Sequence, residues 1–282
     1  MQFSKPTADI YIPDGENIEE ALRRTTHLAI GAHPDDIEAW AYDGIRQCFD
    51  KESQWFTAVT VTNGSGAPRD YLYAEMSDEK MVQIRRLEQR KAAHIGNYSA
   101  AIQLDYFSHE VKEKKNNQVT KDIESILKMT RPKIAYTHNL ADKHDTHLAV
   151  SLHAIEAMRR LPQPEQPEKV YGFEAWRDLD WMVDEDKVVF DISGHPNLAS
   201  ALIAVYDTQN VGSKRYDLGI IARRTAHAIM SEPHGTGSVE GVIFAMDLTP
   251  LIKNLSLDPC EYALEFTQHL SNDVKERIKK LQ

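Results

Sequence analysis

The stretch Thr26–Asp36, THLAIGAHPDD, decides the fold class. Its first six residues form a short, mainly apolar run, which predicts a buried strand. The next five place one imidazole and two adjacent carboxylates directly after that strand. These are the side chains that metal sites use, and they occupy the loop where a dinucleotide-binding fold would carry glycines. The stretch therefore indicates a metal site at the end of a strand.

Strand and helix patterns alternate beyond this stretch. Short apolar or β-branched runs predict strands, and three-to-four spacing of apolar residues predicts helices. We predict strands at 26–31, 56–62, 100–105, 133–138, 170–175 and 188–192, and helices at 16–24, 36–51, 78–95, 120–130, 146–161, 197–205 and 216–230. This alternation is typical of an α/β protein with a mostly parallel sheet flanked by helices.

A proline-rich stretch at 162–167 divides the predicted elements. We expect residues 1–25 to be a lead-in and 26–161 to be the metal-binding core. Residues 168–282 would be a smaller C-terminal extension, packed on the core, that completes the same domain and walls the pocket. Weak candidates for that wall are the segments 193–195 and 232–235, His195, His234, Asp178 and Trp176.

Three polar loops, 33–36, 63–69 and 138–147, each follow a predicted strand. Ligands of parallel α/β sheets bind beyond the carboxyl ends of the strands, so the topology places all three loops at one edge. A site of His33, Asp36 and His147 offers two nitrogens, one oxygen and a free position for water, as catalytic zinc sites do.

Two further side chains are available for chemistry. Asp35 is left over beside the ligands and is the natural general base. His144, three residues before His147, would stabilise an oxyanion or protonate the leaving group. Zinc would lower the pKa of water towards about 7 and polarise a carbonyl. Iron(II) or another divalent ion suits the same ligands, because the order of affinities does not decide between them.

The motif Ala32-His33-Pro34-Asp35-Asp36-x-Glu38, with the distant His144-x-x-His147, resembles the PIG-L/LmbE family of zinc-dependent N-acetylglucosaminide deacetylases. The helix from Arg85 to Gly96 is also similar to that family, and the resemblance covers roughly residues 26–160. It implies a Rossmann-like sheet and a family-specific division of roles. The implied metal ligands are His33, Asp36 and His147, the base is Asp35, and the oxyanion-side residue is His144.

The resemblance also implies substrate contacts by Arg85 and by the loop that contains Asn63 and Arg69. One departure concerns the second motif, which in the family commonly reads His-Pro-Asp-His. Here Thr146 stands where an aspartate would orient His144. We predict that Asp142, two residues before His144, orients it instead.

The charge balance restricts the partners. The 282-residue chain has a net charge of -10, and an acidic surface repels nucleic acid and anionic lipid.

Two cysteines make no disulfide framework, and the N-terminus lacks the apolar segment of a signal peptide. We expect a cytoplasmic protein that binds a small amino-sugar substrate, with assembly into a homo-oligomer left open.

We predict a metal-dependent hydrolase that removes the acetyl group from an N-acetylated amino sugar or its derivative. One alternative is a Rossmann-like module that binds a sugar or nucleotide without turnover; the missing glycine-rich fingerprint argues against a nucleotide. Another is a non-haem iron oxygenase, since His33, Asp35 and His147 satisfy its triad by residue type. Those oxygenases resemble double-sheet barrels, whereas this chain alternates strands and helices.

Overall fold

A computed structural model describes residues 2–231 and 239–282. Its strands are β1 (Asp9–Tyr11), β2 (His27–Gly31), β3 (Phe56–Thr62), β4 (Ala100–Tyr106), β5 (Ile134–His138), β6 (Lys169–Phe173), β7 (Lys187–Asp191) and β8 (Val242–Asp247). Its helices are α1 (Ile18–Arg23), α2 (Asp36–Trp40), α3 (Tyr42–Cys48), α4 (Asp78–Ile95), α5 (Ser108–Lys112), α6 (Gln118–Thr130), α7 (Asp145–Arg159), α8 (Pro196–Ala204), α9 (Asp207–Gln209), α10 (Tyr216–Met230), α11 (Thr249–Lys253) and α12 (Pro259–Leu281).

The strands form one sheet in the order β1-β4-β3-β2-β5-β6-β8-β7. The five strands from β4 to β6 are parallel, whereas β1 and β8 pair antiparallel with their neighbours. The predicted α/β fold with a mostly parallel sheet is confirmed. The chain reverses its direction of winding between β2 and β5, and ligands of doubly wound sheets bind at such a switch point.

The two faces of the sheet carry separate cores because side chains alternate along each strand. Leu28 and Ile30 of β2 pack on one face with α1, α6, α7 and α12. Ala29, between them, packs on the other face with α2, α3, α4 and α8. With both faces covered, β2 and β3 are buried along their whole length. The loops that follow these strands therefore leave the sheet from a rigid base.

The helix predicted at 36–51 is two helices, α2 and α3, separated at Ala41. The break coincides with the buried guanidinium of Arg224 in α10, which donates hydrogen bonds to the carbonyls of Glu38 (3.0 Å) and Ala39 (2.6 Å). These carbonyls are thus satisfied by a side chain at the end of α2. The sequence pattern could not reveal this contact, because Arg224 lies almost 190 residues away along the chain.

The C-terminal part contributes β6, β8 and β7 to the same sheet. The strand β8 was not predicted, because a short apolar run fits a buried strand and a buried helix equally well. The helix α12 was not predicted either; of its 23 residues only Tyr262 and Phe266 are buried. None of the described helices combines the length and the apolar character needed to cross a membrane.

Candidate metal centre

Three side chains from two loops converge at the switch point of the sheet. His33 and Asp36 follow β2, and His147 lies in the first turn of α7, after β5. Nδ1 of His33 lies 3.2 Å from Oδ2 of Asp36 and 3.2 Å from Nε2 of His147. The third side of this triangle, from His147 Nε2 to Asp36 Oδ2, is 3.4 Å.

This triangle fits a small divalent cation. Tetrahedral zinc holds nitrogen and oxygen ligands at about 2.0–2.1 Å, which places neighbouring ligand atoms about 3.3 Å apart. The donor set, two imidazole nitrogens and one carboxylate oxygen, is also one that zinc accepts. Although burial opposes ionisation, the imidazoles of His147, His33 and His138 hold the pKa of Asp36 well below its ordinary value. Asp36 is therefore an anion, as a metal ligand must be.

Asp142 orients His147 and not His144. Its Oδ2 lies 2.7 Å from Nδ1 of His147, and both side chains are buried. A proton on Nδ1, shared with this carboxylate, leaves the lone pair of Nε2 free for a metal. The partner of Asp142 thus differs from the predicted one: among the described residues its carboxylate bonds His147 and not His144, which precedes α7 in an extended conformation.

His138 packs behind the triangle. Its ring stacks on that of His147, with centroids 3.9 Å apart, and its Nε2 lies 3.5 Å from Oδ2 of Asp36. The same Nε2 accepts a hydrogen bond from the backbone N–H of Ala32 at 2.9 Å. Its lone pair is thus already used, and His138 supports the ligands without offering one.

Asp35 stands beside the triangle in a left-handed backbone conformation, with φ of 95°. This conformation is uncommon for a residue with a side chain and is often found at functional sites. Burial raises the pKa of Asp35 to about 8; the Arg85 guanidinium opposes the rise, and the nearby carboxylate of Asp36 adds to it. A cation in the triangle would favour the ionised form again.

His144 stacks on His147, with ring centroids 4.5 Å apart, and its ring meets that of His33 edge-on. Burial, together with the neighbouring imidazoles of His147 and His33, lowers the pKa of His144 to about 4. His144 is therefore neutral near pH 7. Within the described part of the chain its buried Nδ1 has no hydrogen-bond partner.

Arg85 lies in α4 and is 3% exposed. Its Nη2 donates to the carbonyl of Pro34 at 2.5 Å and lies 3.6 Å from Oδ1 of Asp35, and its Nη1 donates to the carbonyl of Gly64 at 3.2 Å. A side chain at position 64 would overlap this guanidinium, so the loop needs a glycine there. Arg85 thus braces two loops under Asp35, although it also lines the cavity.

The other two predicted substrate contacts lie outside the cavity lining. Arg69 donates to the carbonyl of Ser65 at 2.8 Å and pairs with Asp78 at 2.6 Å. Asn63 uses its side-chain oxygen to accept a hydrogen bond from the amide of Ser65. Both side chains shape the loop 63–69 from within, because each finds a local partner that sequence spacing does not disclose. Substrate contact by these two residues stays a prediction.

The triangle opens into a cavity of about 620 Å³. Its lining includes Asp35, His144 and the loop residues 64 and 66–68, and aromatic side chains from three regions: Trp40, Trp176 and Tyr216. Basic residues that sequence reasoning missed also line it: Lys112, Lys214, Arg215 and Arg223. Each is an ordinary surface residue by sequence alone. No pattern in the sequence singles them out.

Of the weaker candidates for the pocket wall, some line the cavity and others do not. Trp176 is 41% exposed and lines the cavity. His195 and Asp178 are absent from the lining; the ring of His195 packs edge-on against that of Phe49. His234 and the segment 232–235 lie outside the described residues.

Comparison with known proteins gives a family match. Residues 28–158 match the family model described as PIG-L, GlcNAc-PI de-N-acetylase. The match covers a little less than half of the 282-residue chain. The resemblance to this deacetylase family, which the two histidine motifs indicated, is thereby confirmed, and the matched range contains every residue of the triangle together with Asp35 and His144.

One curated relative and two solved structures are similar to this chain. The Escherichia coli (strain K12) protein named uncharacterized deacetylase YaiS is 28% identical over 150 residues, which cover 53% of this chain and 77% of that protein. The N,N'-diacetylchitobiose deacetylase of Pyrococcus horikoshii superposes with a TM-score of 0.61 at 18% identity, over 82% of this chain and 86% of that one. GalB, the 4-carboxy-2-hydroxymuconate hydratase of Pseudomonas putida, superposes with a TM-score of 0.63 at 18% identity, over 80% and 97%. These two structures share the fold of this chain.

Proposed function

We propose that this protein is a zinc-dependent hydrolase that removes the acetyl group from an N-acetylated amino sugar. The observation that carries the proposal is the triangle of His33, Asp36 and His147, with the carboxyl group of Asp35 beside it at the floor of a cavity. The match to the PIG-L family model supports the choice of an N-acyl sugar as the substrate.

His33, Asp36 and His147 would hold the cation, and Asp142 would keep His147 in the correct tautomer. A zinc ion bound there supplies a Lewis acid that activates water near neutral pH and polarises the acetamide carbonyl. Arg85 keeps the loop of Asp35 in place from below through the carbonyl of Pro34.

Asp35 accepts the proton of the attacking water and delivers it to the leaving amine. A cation in the triangle favours the ionised form of Asp35, which can therefore act first as a base, and the proton that it accepts lets it act as an acid in the second step. His144 is neutral, so it would donate a hydrogen bond to the developing oxyanion and leave the proton transfer to Asp35. Cleavage of the C–N bond gives acetate and the free amino sugar.

A second candidate is a metal-dependent hydratase that adds water to an unsaturated carboxylic acid. The basic lining of the cavity suits such a substrate, and GalB, a hydratase, has the same fold. The triangle and Asp35 would serve this reaction equally well. The two candidates differ in the product, because only the deacetylase releases acetate.

The test begins with the metal content of protein purified without chelator. Acetate release is then measured with N-acetylglucosamine and its 6-phosphate, after reloading with Zn²⁺ or Fe²⁺ and after chelation. Stoichiometric metal and chelator-sensitive acetate support the deacetylase. Metal without acetate, combined with loss of the ultraviolet absorbance of an unsaturated dicarboxylic acid, supports the hydratase. Failure to bind either metal would contradict both candidates.

A further inference from the structure

The cavity has an excess of basic side chains. Five described lining residues are basic: Arg85, Lys112, Lys214, Arg215 and Arg223. The acidic ones among the described lining residues are Asp35 and Asp36, both part of the metal centre. The chain as a whole has a net charge of -10. Positive charge is therefore concentrated in the cavity, against the overall balance of the protein.

These basic residues differ in how far they are already neutralised. Arg85 is occupied by backbone carbonyls and Asp35, and Arg215 pairs with Asp217 through two hydrogen bonds of 3.0 and 2.8 Å. Lys112 and Lys214 are exposed, and neither forms an ion pair with a described residue. These two ammonium groups are therefore available to a ligand.

Arg223 adds a third charge on a fixed side chain. Its Nη1 donates a hydrogen bond to the carbonyl of Ala175, and its guanidinium carbon lies 4.9 Å from the centroid of the Trp40 ring. A carbonyl and an aromatic ring orient the guanidinium without cancelling its charge. Arg223 is thus held in place and still attracts an anion.

The start of α10 faces the same cavity. Tyr216, Gly219, Ile220 and Arg223 all line it, and their three-to-four spacing places them on one face of the helix. The first turn of a 15-residue helix carries a partial positive charge, which adds to that of Lys214 just before it.

The segment that carries Lys214 is anchored to the helix that carries Arg85. Glu88, one turn after Arg85 in α4, accepts hydrogen bonds from the backbone N–H of Thr208 at 2.9 Å and from its hydroxyl at 2.7 Å. Residues 208–214 continue from this anchor through a π-helical turn to Lys214. The hydrogen bonds of Glu88 therefore connect the segment that ends at Lys214 to the helix whose Arg85 lies under Asp35.

We propose that the substrate carries an anionic substituent, a phosphate or carboxylate group, that binds Lys112, Lys214 and Arg223. Trp176 and Tyr216, which pack edge-on with centroids 5.7 Å apart, would border the sugar ring between this group and the metal centre. The position of an acetamide at the metal centre rests on the proposed function, whereas the anion site rests on the cavity alone.

Binding of sugars without an acetamide tests the anion site separately from catalysis. Calorimetry at low salt compares glucose with glucose 1-phosphate, glucose 6-phosphate and glucuronic acid. We expect at least one charged sugar to bind about tenfold more tightly than glucose, a preference of about 1.4 kcal/mol. Tightest binding of a glucose phosphate would identify the substituent as a phosphate, and tightest binding of glucuronic acid would identify it as a carboxylate. The preference should shrink as salt is added, since exposed charges are screened.

The double variant Lys112→Gln/Lys214→Gln should reduce the preference for charged sugars by about tenfold. The matched control, Lys279→Gln/Lys280→Gln, removes two exposed lysines of α12 that do not line the cavity, and it should keep the preference. Equal affinities for glucose and the charged sugars would overturn the proposal. So would a preference that the cavity variant retains, because the anion would then bind elsewhere, for example at the metal.

Acetate release on the same samples separates the two proposals. Preferential binding of charged sugars without acetate from any N-acetyl sugar would contradict the deacetylase and support the anion site. Equal acetate release from neutral and charged N-acetyl sugars, without a binding preference, would support the deacetylase and overturn the anion site.

Discussion

The carboxylate of Asp142 and Nδ1 of His147 lie 2.7 Å apart in the interior of the protein. The carboxylate also accepts hydrogen bonds from the amides of Lys143 (2.6 Å) and Arg177 (3.0 Å). Burial opposes its ionisation, but the hydrogen bond to His147 lowers the pKa of Asp142. The pair therefore fixes which nitrogen of His147 faces His33 and Asp36.

Replacing Asp142 by asparagine should weaken metal binding. An amide does not hold the Nδ1 proton as a carboxylate does, and losing such a partner typically costs about 10–100-fold in metal affinity. Competition with a chromophoric chelator measures the change. Asp145→Asn, at an exposed position three residues later, is the control and should bind metal as the wild type does. Unchanged affinity in Asp142→Asn would mean that this hydrogen bond does not set the tautomer.

Asp35→Asn and His147→Ala should fail in different ways. The first keeps the triangle, so it should bind metal while turnover falls by roughly 10²–10⁴-fold, the range for loss of a general base. The second removes a ligand and should lose both. Metal content and acetate release, measured on the same preparations, decide the matter. Comparable loss of metal in both variants would place Asp35 among the ligands.

The metal-free protein should lose stability as the pH rises through the titration of Asp35. The pKa of this carboxyl group rises from an ordinary 3.8 to about 8 on folding. The folded state therefore holds the proton more tightly, and this contribution is complete below the unfolded pKa and is lost as the pH rises to the folded one. In Asp35→Asn the contribution is absent. As the pH rises, the free energy of unfolding of the variant should therefore increase relative to that of the wild type, by up to about 1.4 kcal/mol per pH unit.

Urea titrations in the presence of chelator, at several pH values from about 5 to 9, measure this difference. Comparing the variant with the wild type cancels the titration of the neighbouring histidines to first order. A difference that stays constant over this range would contradict a raised pKa for Asp35.

The two cysteines should differ in reactivity. Cys48 is buried in α3, where burial raises the pKa of its thiol to about 12, so thiolate is scarce at neutral pH. Cys260 is exposed in α12. A disulfide reagent at neutral pH should titrate one thiol in the native protein and two after unfolding. Cys260→Ser should remove the native signal, and a fast-reacting thiol in that variant would show that Cys48 is accessible.

The triangle of His33, Asp36 and His147 could be predicted from sequence because it depends only on local spacing and on the order of neighbouring parallel strands. His33 and Asp36 are three residues apart directly after a buried strand, and His147 follows the strand that pairs beside it. Parallel strands bring such loops to one edge whatever the distant contacts are. The family and the fold class follow from the same stretches.

The partner of Asp142 could not be predicted, because it depends on where α7 begins. His144 precedes the helix and His147 lies within it; their rings stack, but only His147 places a ring nitrogen within hydrogen-bond distance of Asp142. Arg85 and Arg69 illustrate a second limit. A charged residue on a helix or loop is exposed by default, and only tertiary packing shows that one guanidinium is buried under Asp35 and that the other is paired with Asp78.

The basic residues of the cavity show the same limit on a larger scale. Lys112 ends α5, whereas Lys214 and Arg223 belong to the C-terminal part. More than 100 residues separate the first from the other two, and no periodicity connects them. Only the folded chain shows that all three side chains line one cavity.

The position of β8 between β6 and β7 has a consequence for biosynthesis. While the ribosome is still translating the last quarter of the chain, β6 has its partner β5 on one side and an open edge on the other. An unpaired edge is a template for pairing with another nascent chain. β7 cannot cover it, because it contacts the sheet only through β8. The loops of the metal centre emerge early, yet the sheet beneath them closes only when Val242–Asp247 arrives.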